Sequence, residues 1–337
     1  MRVRGGLRIS TAVSLALVLA LSGCTSIAVF LGLRTRLSDV PVTAVSASLP
    51  GSPALAPGQS SRLAIVAATA DGRRLATVGP AHGDVVFDSF TFDAHIVQVK
   101  ENGVVTLPPD PRLSEGQMPH LKVHVVGHPE VTADLDIPVR YNVAFTANFS
   151  GREGIDGLDG TDGFPGMSGM PGSLDESNPT PGGDGFNGGD GGDGFNGGDG
   201  EAGKQVHIWL RLKPGPQPLL QARVAGGGDE QLFLIDPNGG TLAVSANGGP
   251  GGRGGHGGKG GPGGAGGSGS PQGSRGANGH DGADGFPGQD GAAGTILVSV
   301  DPEAMQYLDR LRLVNKDGIG RTGPAPRINT ETVAPIW

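Results

Sequence analysis

The sequence predicts a mainly β chain in two unlike parts: a compact domain of short strands, then a bundle of glycine-rich segments with the three-residue period of the polyproline II helix. Three observations lead there. Residues 38–148 consist of short alternating apolar runs set between turn clusters. Between 151 and 294 glycine returns every third residue in four uninterrupted blocks, 151–172, 182–203, 248–269 and 273–294, each 22 residues long. Alternating runs then flank the blocks at 205–247 and 295–316.

The first part is punctuated like a sandwich. Runs such as PVTAVSASL, RLAIVAAT, DVVFDSF, LKVHVVG and VTADLDIPVRY are separated by LPGSPALAPGQ, ADGR, KENG and LPPDPR. About seven strands in about 110 residues suit an immunoglobulin-like β-sandwich, although the Cys-Trp-Cys signature is absent. The segment loosely resembles bacterial Ig-like modules. His120, His124 and His128 invite a metal reading, but Leu121, Val123 and Val125 alternate with them. On a strand, histidines four apart stand about 13 Å from one another, too far for one ion to bridge. The spacing therefore predicts a solvated strand face.

The second part is governed by backbone amides. A polyproline II helix has no internal hydrogen bonds and rises about 3.1 Å per residue, so each block spans about 70 Å and must satisfy its amides with water or with a neighbour. Glycine, lacking Cβ, lets two backbones approach closely enough to bond. Equal block lengths are what rods laid side by side require, whereas a flexible linker depends only on reach. Only five of the 88 block residues are Pro (165, 171, 250, 262 and 287), below the roughly 15–20% of collagen-like sequence. The third block, GGPGGRGGHGGKGGPGGAGGSG, has two bare faces and is expected to be the inner rod. Blocks one and four, with one glycine per triplet, read as outer rods, and block two is mixed.

Connections and charge agree with a single-chain bundle. Residues 173–181 and 270–272 are short enough to reverse the chain. Residues 151–203 hold eleven acidic side chains and one basic, whereas Arg253, His256 and Lys259 recur every third residue along block three, so opposite fields favour lateral pairing. The strands at 205–247 and 295–316 are expected to form a small sheet capping the bundle's ends. A short helix or turn around 305–308 follows Asp301-Pro302-Glu303, which reads as an N-cap with Pro at the first helical position.

The unit GGDGFNGGD is repeated in tandem across 182–200. Set against the calcium-binding nonapeptide, it has Gly189 and Gly198 where a large apolar residue is needed. It reads better as the triplets GGD-GFN-GGD. Asp184, Asp190, Asp193 and Asp199 remain the positions that could gather cations loosely, and no cofactor is required. The motif D-G-F-(P/N)-G places Phe164, Phe186, Phe195 and Phe286 in three of the blocks. These rings are candidates either to clamp rod edges, where burial would stabilise by about 1.5–3 kcal/mol each, or to serve as exposed contact residues.

The N-terminus looks secretory: Arg2, Arg4 and Arg8 precede the apolar run 9–21. The run ends in Leu21-Ser22-Gly23-Cys24, which resembles the lipobox of bacterial lipoproteins. With the glycine blocks, the chain resembles collagen-like glycine-repeat proteins of the bacterial envelope. That resemblance implies cleavage before Cys24, a covalent lipid on its sulfur, and insertion in the bilayer, with Thr25 in the next position implying the outer membrane. The competing reading is a retained transmembrane anchor, since no charge interrupts the stretch between Arg8 and Arg34. The expected organisation is a signal peptide at 1–23, a tether at 24–37, the sandwich at 38–148, the bundle at 149–330 and a Pro-containing tail at 317–337.

Other function classes find little support. The formal net charge of −8 argues against a nucleic-acid surface. A Walker loop fails because Arg253 stands where its first glycine would be, and there is neither a G-x-S-x-G elbow nor a cysteine besides Cys24. The sequence thus points to a non-catalytic surface lipoprotein with a structural, adhesive or display role, its partner an undefined surface ligand or envelope protein. The alternatives are a homotrimeric collagen-like stalk acting as an adhesin, weak calcium binding, and ice binding, the last because flat glycine bundles are similar to the glycine-rich antifreeze proteins of snow fleas.

Overall fold

The computed structural model describes residues 34–78 and 84–337. Cys24, the lipobox and the apolar run lie outside the described residues. The fold is mainly β and divides into two units, the first closing at Val143 and taking in Trp337, the second running from Ala144 to Ile336.

In the first unit, β1 (Val42–Ser48), β3 (Ala64–Thr69) and β4 (Arg74–Ala76) form an antiparallel sheet with β3 central. Strands β2 (Ser60–Arg62), β6 (Gln98–Val99) and β7 (Val104–Thr106) form a second, and β5 (Phe90–His95), β8 (His120–Val125) and β9 (His128–Asp136) a third. The strand period of two places one row of each sheet inward. Ile65 and Ala67, Val105, and Leu121, Val123 and Val125 meet in one core with Leu37, Leu63, Leu107 and Ile137. Sheets wrapped about one shared core are the arrangement of a β-sandwich.

The second unit combines strands with the glycine blocks. Its strands are β10 (Ala144–Asn148), β11 (Val206–Lys213), β12 (Leu219–Gly226), β13 (Asp229–Ile235), β14 (Thr241–Ser245), β15 (Ile296–Val300), β16 (Leu311–Val314) and β17 (Arg327–Thr330). They form a five-stranded sheet, β13-β12-β11-β15-β17, and a three-stranded one, β10-β14-β16. Ile208, Leu210, Leu220, Ala222, Val224, Val298 and Val300 are buried from the first, and Leu242 and Val244 from the second. Between β15 and β16 a 3-10 helix, Pro302–Arg310, starts with the Asp301 carboxylate accepting from the Glu303 N–H.

Three boundaries differ from the sequence reading. Strand β10 belongs to the second unit, because it pairs in parallel with β14, so the division falls before Ala144 and not after residue 148. The tail contains β17, paired with β15. The strands gather at one end of the blocks rather than at both. Gly151, which opens block one, lies against Glu201 near the end of block two; Gly249 of block three bonds Glu201; and Gly291 of block four bonds Gly249. The four blocks run alternately out and back, so an even number of them returns the chain to the end where it began.

No residue of the blocks is in a strand, yet backbone hydrogen bonds join them at every third position. Block one donates to block three in parallel, from Gly151 N–H to Asn247 through to Gly172 N–H to Ser268. Block two donates to block four in parallel and to block one in antiparallel, as in Gly194 to Ala283 and Phe195 to Leu158. Block three donates to block two, as in Gly255 to Phe195, and block four to block three, as in Gly285 to Gly255.

Blocks two and three therefore each touch all three others, and blocks one and four touch two. The expectation of a lone inner rod is corrected: block two is inner as well. The reason lies in which block supplies the bare face at each contact. A Cβ on Gly157 would overlap the Phe195 carbonyl, on Gly194 the Gly255 carbonyl, on Gly282 the Gly192 carbonyl, and, in block three, on Gly255 the Leu158 carbonyl and on Gly254 the Gly285 carbonyl. Each of the contacts has one such glycine column, and only block three supplies two. The second glycines of block two are less constrained: a Cβ at Gly183, Gly189, Gly192 or Gly198 would come to 3.2–3.3 Å of its nearest atom, and Phe186 and Phe195 stand in the same row.

Candidate functional site

The block faces differ sharply in what they carry. Where blocks one and three adjoin, Asp156, Asp159 and Asp162 accept from the N–H groups of Arg253, His256 and Lys259 at 2.7–2.8 Å. The acidic and basic rows foreseen in the sequence do lie side by side, but the carboxylates bind the backbone rather than the cationic heads. Where blocks two and four adjoin, Asp184, Asn187, Asp190, Asp193, Asn196 and Asp199 accept from Ser274, Ala277, His280, Ala283, Phe286 and Gln289 at 2.7–2.9 Å. Between blocks three and four, Asp290, Asp284, Asp281 and Asn278 do the same for glycine N–H groups of block three.

The four cation candidates therefore have a role toward the backbone. Asp184, Asp190, Asp193 and Asp199 each hold a backbone N–H through Oδ1, and Asn187 and Asn196 stand interchangeably in the same row. What Asp and Asn share in this row is a side-chain acceptor oxygen. Among the described residues no group of three or more His, Cys, Asp or Glu is arranged to hold a metal ion.

The remaining face, where blocks one and two adjoin, carries no such carboxylate row. It presents Ile155, Leu158, Phe164, Met167 and Met170 at every third position of block one, with Thr161 completing the series. Beside them stand Phe186 and Phe195, whose N–H groups donate to Met167 and Leu158. All seven apolar side chains lie open, between 60% exposed (Phe186) and 85% exposed (Phe164). Of the four phenylalanines singled out by motif, three share this face. Phe286 does not: its N–H donates to Asn196 on the block two and four side, and its ring is 75% exposed. The clamping role is overturned for all four, since a clamp must be buried.

Ile155, Leu158, Met167 and Met170 were not picked out by the phenylalanine motif. Their signal was present as the second position of each triplet in block one. It is visible only after that position is known to face block two's Phe row.

Two other polar clusters lie outside the blocks, one on β8 and β9 and one on the five-stranded sheet. On β8, His120 and His124 point away from the core as expected; His120 Nδ1 lies 2.8 Å from Asp136 and Nε2 3.1 Å from Asp134, while His124 Nε2 lies 2.9 Å from Asp93. The Asp136 hydrogen bond, with Asp134 adding to it, raises the His120 pKa above the usual imidazole value. His128 does not continue the β8 row as the spacing predicts: the chain turns after Val125, and His128 opens β9, its Nδ1 3.8 Å from Glu130.

On the five-stranded sheet, His207 stacks on Trp209 at 3.7 Å and Arg223 lies 3.8 Å from the same ring. His207 Nε2 is 2.8 Å from Ser299 Oγ, and burial lowers the His207 pKa. A recess of about 620 Å³ opens beside His207 and Arg327. A hydroxyl beside a neutral imidazole has the makings of a nucleophile and its base, but Ser299 is only 1% exposed within a central strand, where no carbonyl carbon could approach its oxygen.

Comparisons with protein-family models, with curated proteins and with solved structures return no match. The candidate site is therefore the one the geometry singles out: a long, uncharged, uncovered row on a rigidly bonded support. No helix among the described residues is long and apolar enough to cross a membrane.

Proposed function

We propose that the chain is a non-catalytic, envelope-anchored lipoprotein that holds a rigid glycine bundle outward and offers the face shared by blocks one and two as a contact surface. The blocks are read as polyproline II helices packed within one chain, and the first unit as an immunoglobulin-like sandwich. The intrachain amide bonds support a single-chain bundle over a trimeric stalk, in which those amides would face sister chains.

One observation carries the contact role. Large apolar side chains take five of the six second triplet positions from Ile155 to Met170 and remain 70–85% exposed, while the faces between blocks one and three, two and four, and three and four are lined with acceptors for backbone amides. Monomeric soluble proteins rarely leave contiguous apolar patches beyond a few hundred Å², and such patches mark interaction sites. A bundle that needs side chains only for backbone satisfaction has no internal use for this row.

The anchor rests on Leu21-Ser22-Gly23-Cys24. Metabolic labelling with palmitate and envelope fractionation test it. The wild-type chain takes up label and sediments with membranes, and Cys24→Ser loses both properties. Unlabelled wild-type chain, or a Cys24→Ser chain that is still labelled, overturns the lipid anchor.

A further inference from the structure

We propose that the contact face binds a second copy of this chain, forming a two-fold dimer in which the block one and two faces lie against each other with the blocks antiparallel. The inference rests on the contact-face reading above and names its occupant.

Level by level along the pair, Met170 lies beside Gly183, Met167 beside Phe186, Phe164 beside Gly189, Thr161 beside Gly192, Leu158 beside Phe195 and Ile155 beside Gly198. Block two thus reads Gly-Phe-Gly-Gly-Phe-Gly, the same in both directions, with room above each glycine and a ring above each Phe. A two-fold axis reverses direction, so an isologous contact needs each ring of this row to meet a glycine gap of its own reversed copy, which an axis through one of the two central glycines achieves.

The axis has a natural position. Placed in the plane of the face, perpendicular to the blocks and through the Thr161–Gly192 level, it sets Phe195 over the second copy's Gly189 and Phe186 over its Gly198. The same operation sets Leu158 against the second copy's Phe164 and Ile155 against its Met167. Rings enter glycine gaps, large apolar side chains meet each other, and the smallest level of the face, Thr161 with Gly192, lies on the axis where two identical groups must meet.

Size and charge favour the same occupant. Levels recur about every 9 Å along a polyproline II helix, so the face is about 50 Å long, and two adjacent blocks with their side chains make it about 13 Å wide. The axis brings five of the six levels together, so a dimer would bury about 1,100 Å² in total, above the roughly 1,000 Å² that a specific interface should clear. The levels from Ile155 to Met170 hold no ionisable group, whereas the faces bearing Asp156–Asp162, Asp184–Asp199 and Asp281–Asp290 carry rows of carboxylates in a chain of net charge −8. Two copies can therefore meet by this face without bringing like charges together.

The test is photo-crosslinking of the full chain in its own membranes, with a photoreactive phenylalanine analogue in place of Phe164 or, as control, Phe286. The expected result is a product of twice the monomer mass from position 164 and none from 286. Phe186→Asp with Phe195→Asp should cut that product at least tenfold while leaving thermal unfolding unchanged, as befits exposed positions. Thr161→Cys should form a disulfide-linked dimer under mild oxidation, and Ala283→Cys should not. A product from position 164 with another protein or with lipid overturns the dimer and leaves the contact face standing. No product from 164 with any species overturns both.

Discussion

The carboxylate of Asp193 accepts the backbone N–H of Ala283 at 2.8 Å, across 90 positions of sequence. In the same level Gly194 N–H donates to the Ala283 carbonyl, so one residue of block four is held from both sides by two consecutive residues of block two. The blocks are joined by such pairs rather than by side-chain packing. Most of their residues have little side chain to pack.

A first prediction concerns that acceptor. Asp193→Leu removes it and leaves the Ala283 amide to water; at an exposed position the loss should be about 0.5–1 kcal/mol, near the low end for one hydrogen bond. Asp193→Asn keeps an acceptor oxygen, as Asn187 and Asn196 do at neighbouring levels, and should be within about 0.5 kcal/mol of wild type. Amide exchange at Ala283 reads both: faster in the Leu variant, unchanged in the Asn variant.

A second prediction separates glycines that look alike in sequence. Gly255→Ala forces a methyl group into the Leu158 carbonyl and should destabilise the second unit by about 3 kcal/mol or more, because backbone on both sides must move. Gly189→Ala places its methyl 3.3 Å from the Phe164 nitrogen, in a row where Phe186 already stands, and should cost less than about 1 kcal/mol. Thermal unfolding of the two variants gives the comparison, and equal losses would refute the assignment of one bare column to each contact.

A third prediction concerns pH. The His120 pKa is raised by its hydrogen bond to Asp136 and by Asp134, so the folded first unit holds a proton that the unfolded chain releases. The stabilising contribution is full below the unfolded imidazole value of about 6.5 and is lost as pH rises through the raised folded value. A ring-proton titration of His120 should show the upward shift, and Asp136→Asn should reduce it. A His120 that titrates at or below about 6.5 contradicts the geometry.

These predictions also mark how much the sequence disclosed. The blocks, their equal lengths and the turns at 173–181 and 270–272 could be read directly, because a strict glycine period has few physical uses. The outward histidines of β8 followed from alternation with Leu121, Val123 and Val125. What could not be read was register. That Asp156 serves Arg253 depends on β10 and β14 pairing in parallel, with Asn148 opposite Ser245; that strand register carries on into the blocks.

For the same reason the apolar row was only half visible. Phe164, Phe186 and Phe195 share a motif, but Ile155, Leu158, Met167 and Met170 join them only through the antiparallel pairing of blocks one and two. Phe286 carries the same motif on a different face. A repeat motif fixes position within a triplet, and the face that position occupies depends on which neighbour the rod packs against.

The central claim is that the glycine amides are satisfied inside a single chain. Scalar couplings across hydrogen bonds, from the Gly255 amide nitrogen to the Phe195 carbonyl carbon, test it directly. In chains labelled with both isotopes the coupling should appear; in a sample mixed from chains carrying only labelled nitrogen and chains carrying only labelled carbon it should vanish. A coupling that survives in the mixture would place those bonds between molecules, and the absence of coupling in both samples would mean that the bonds do not form.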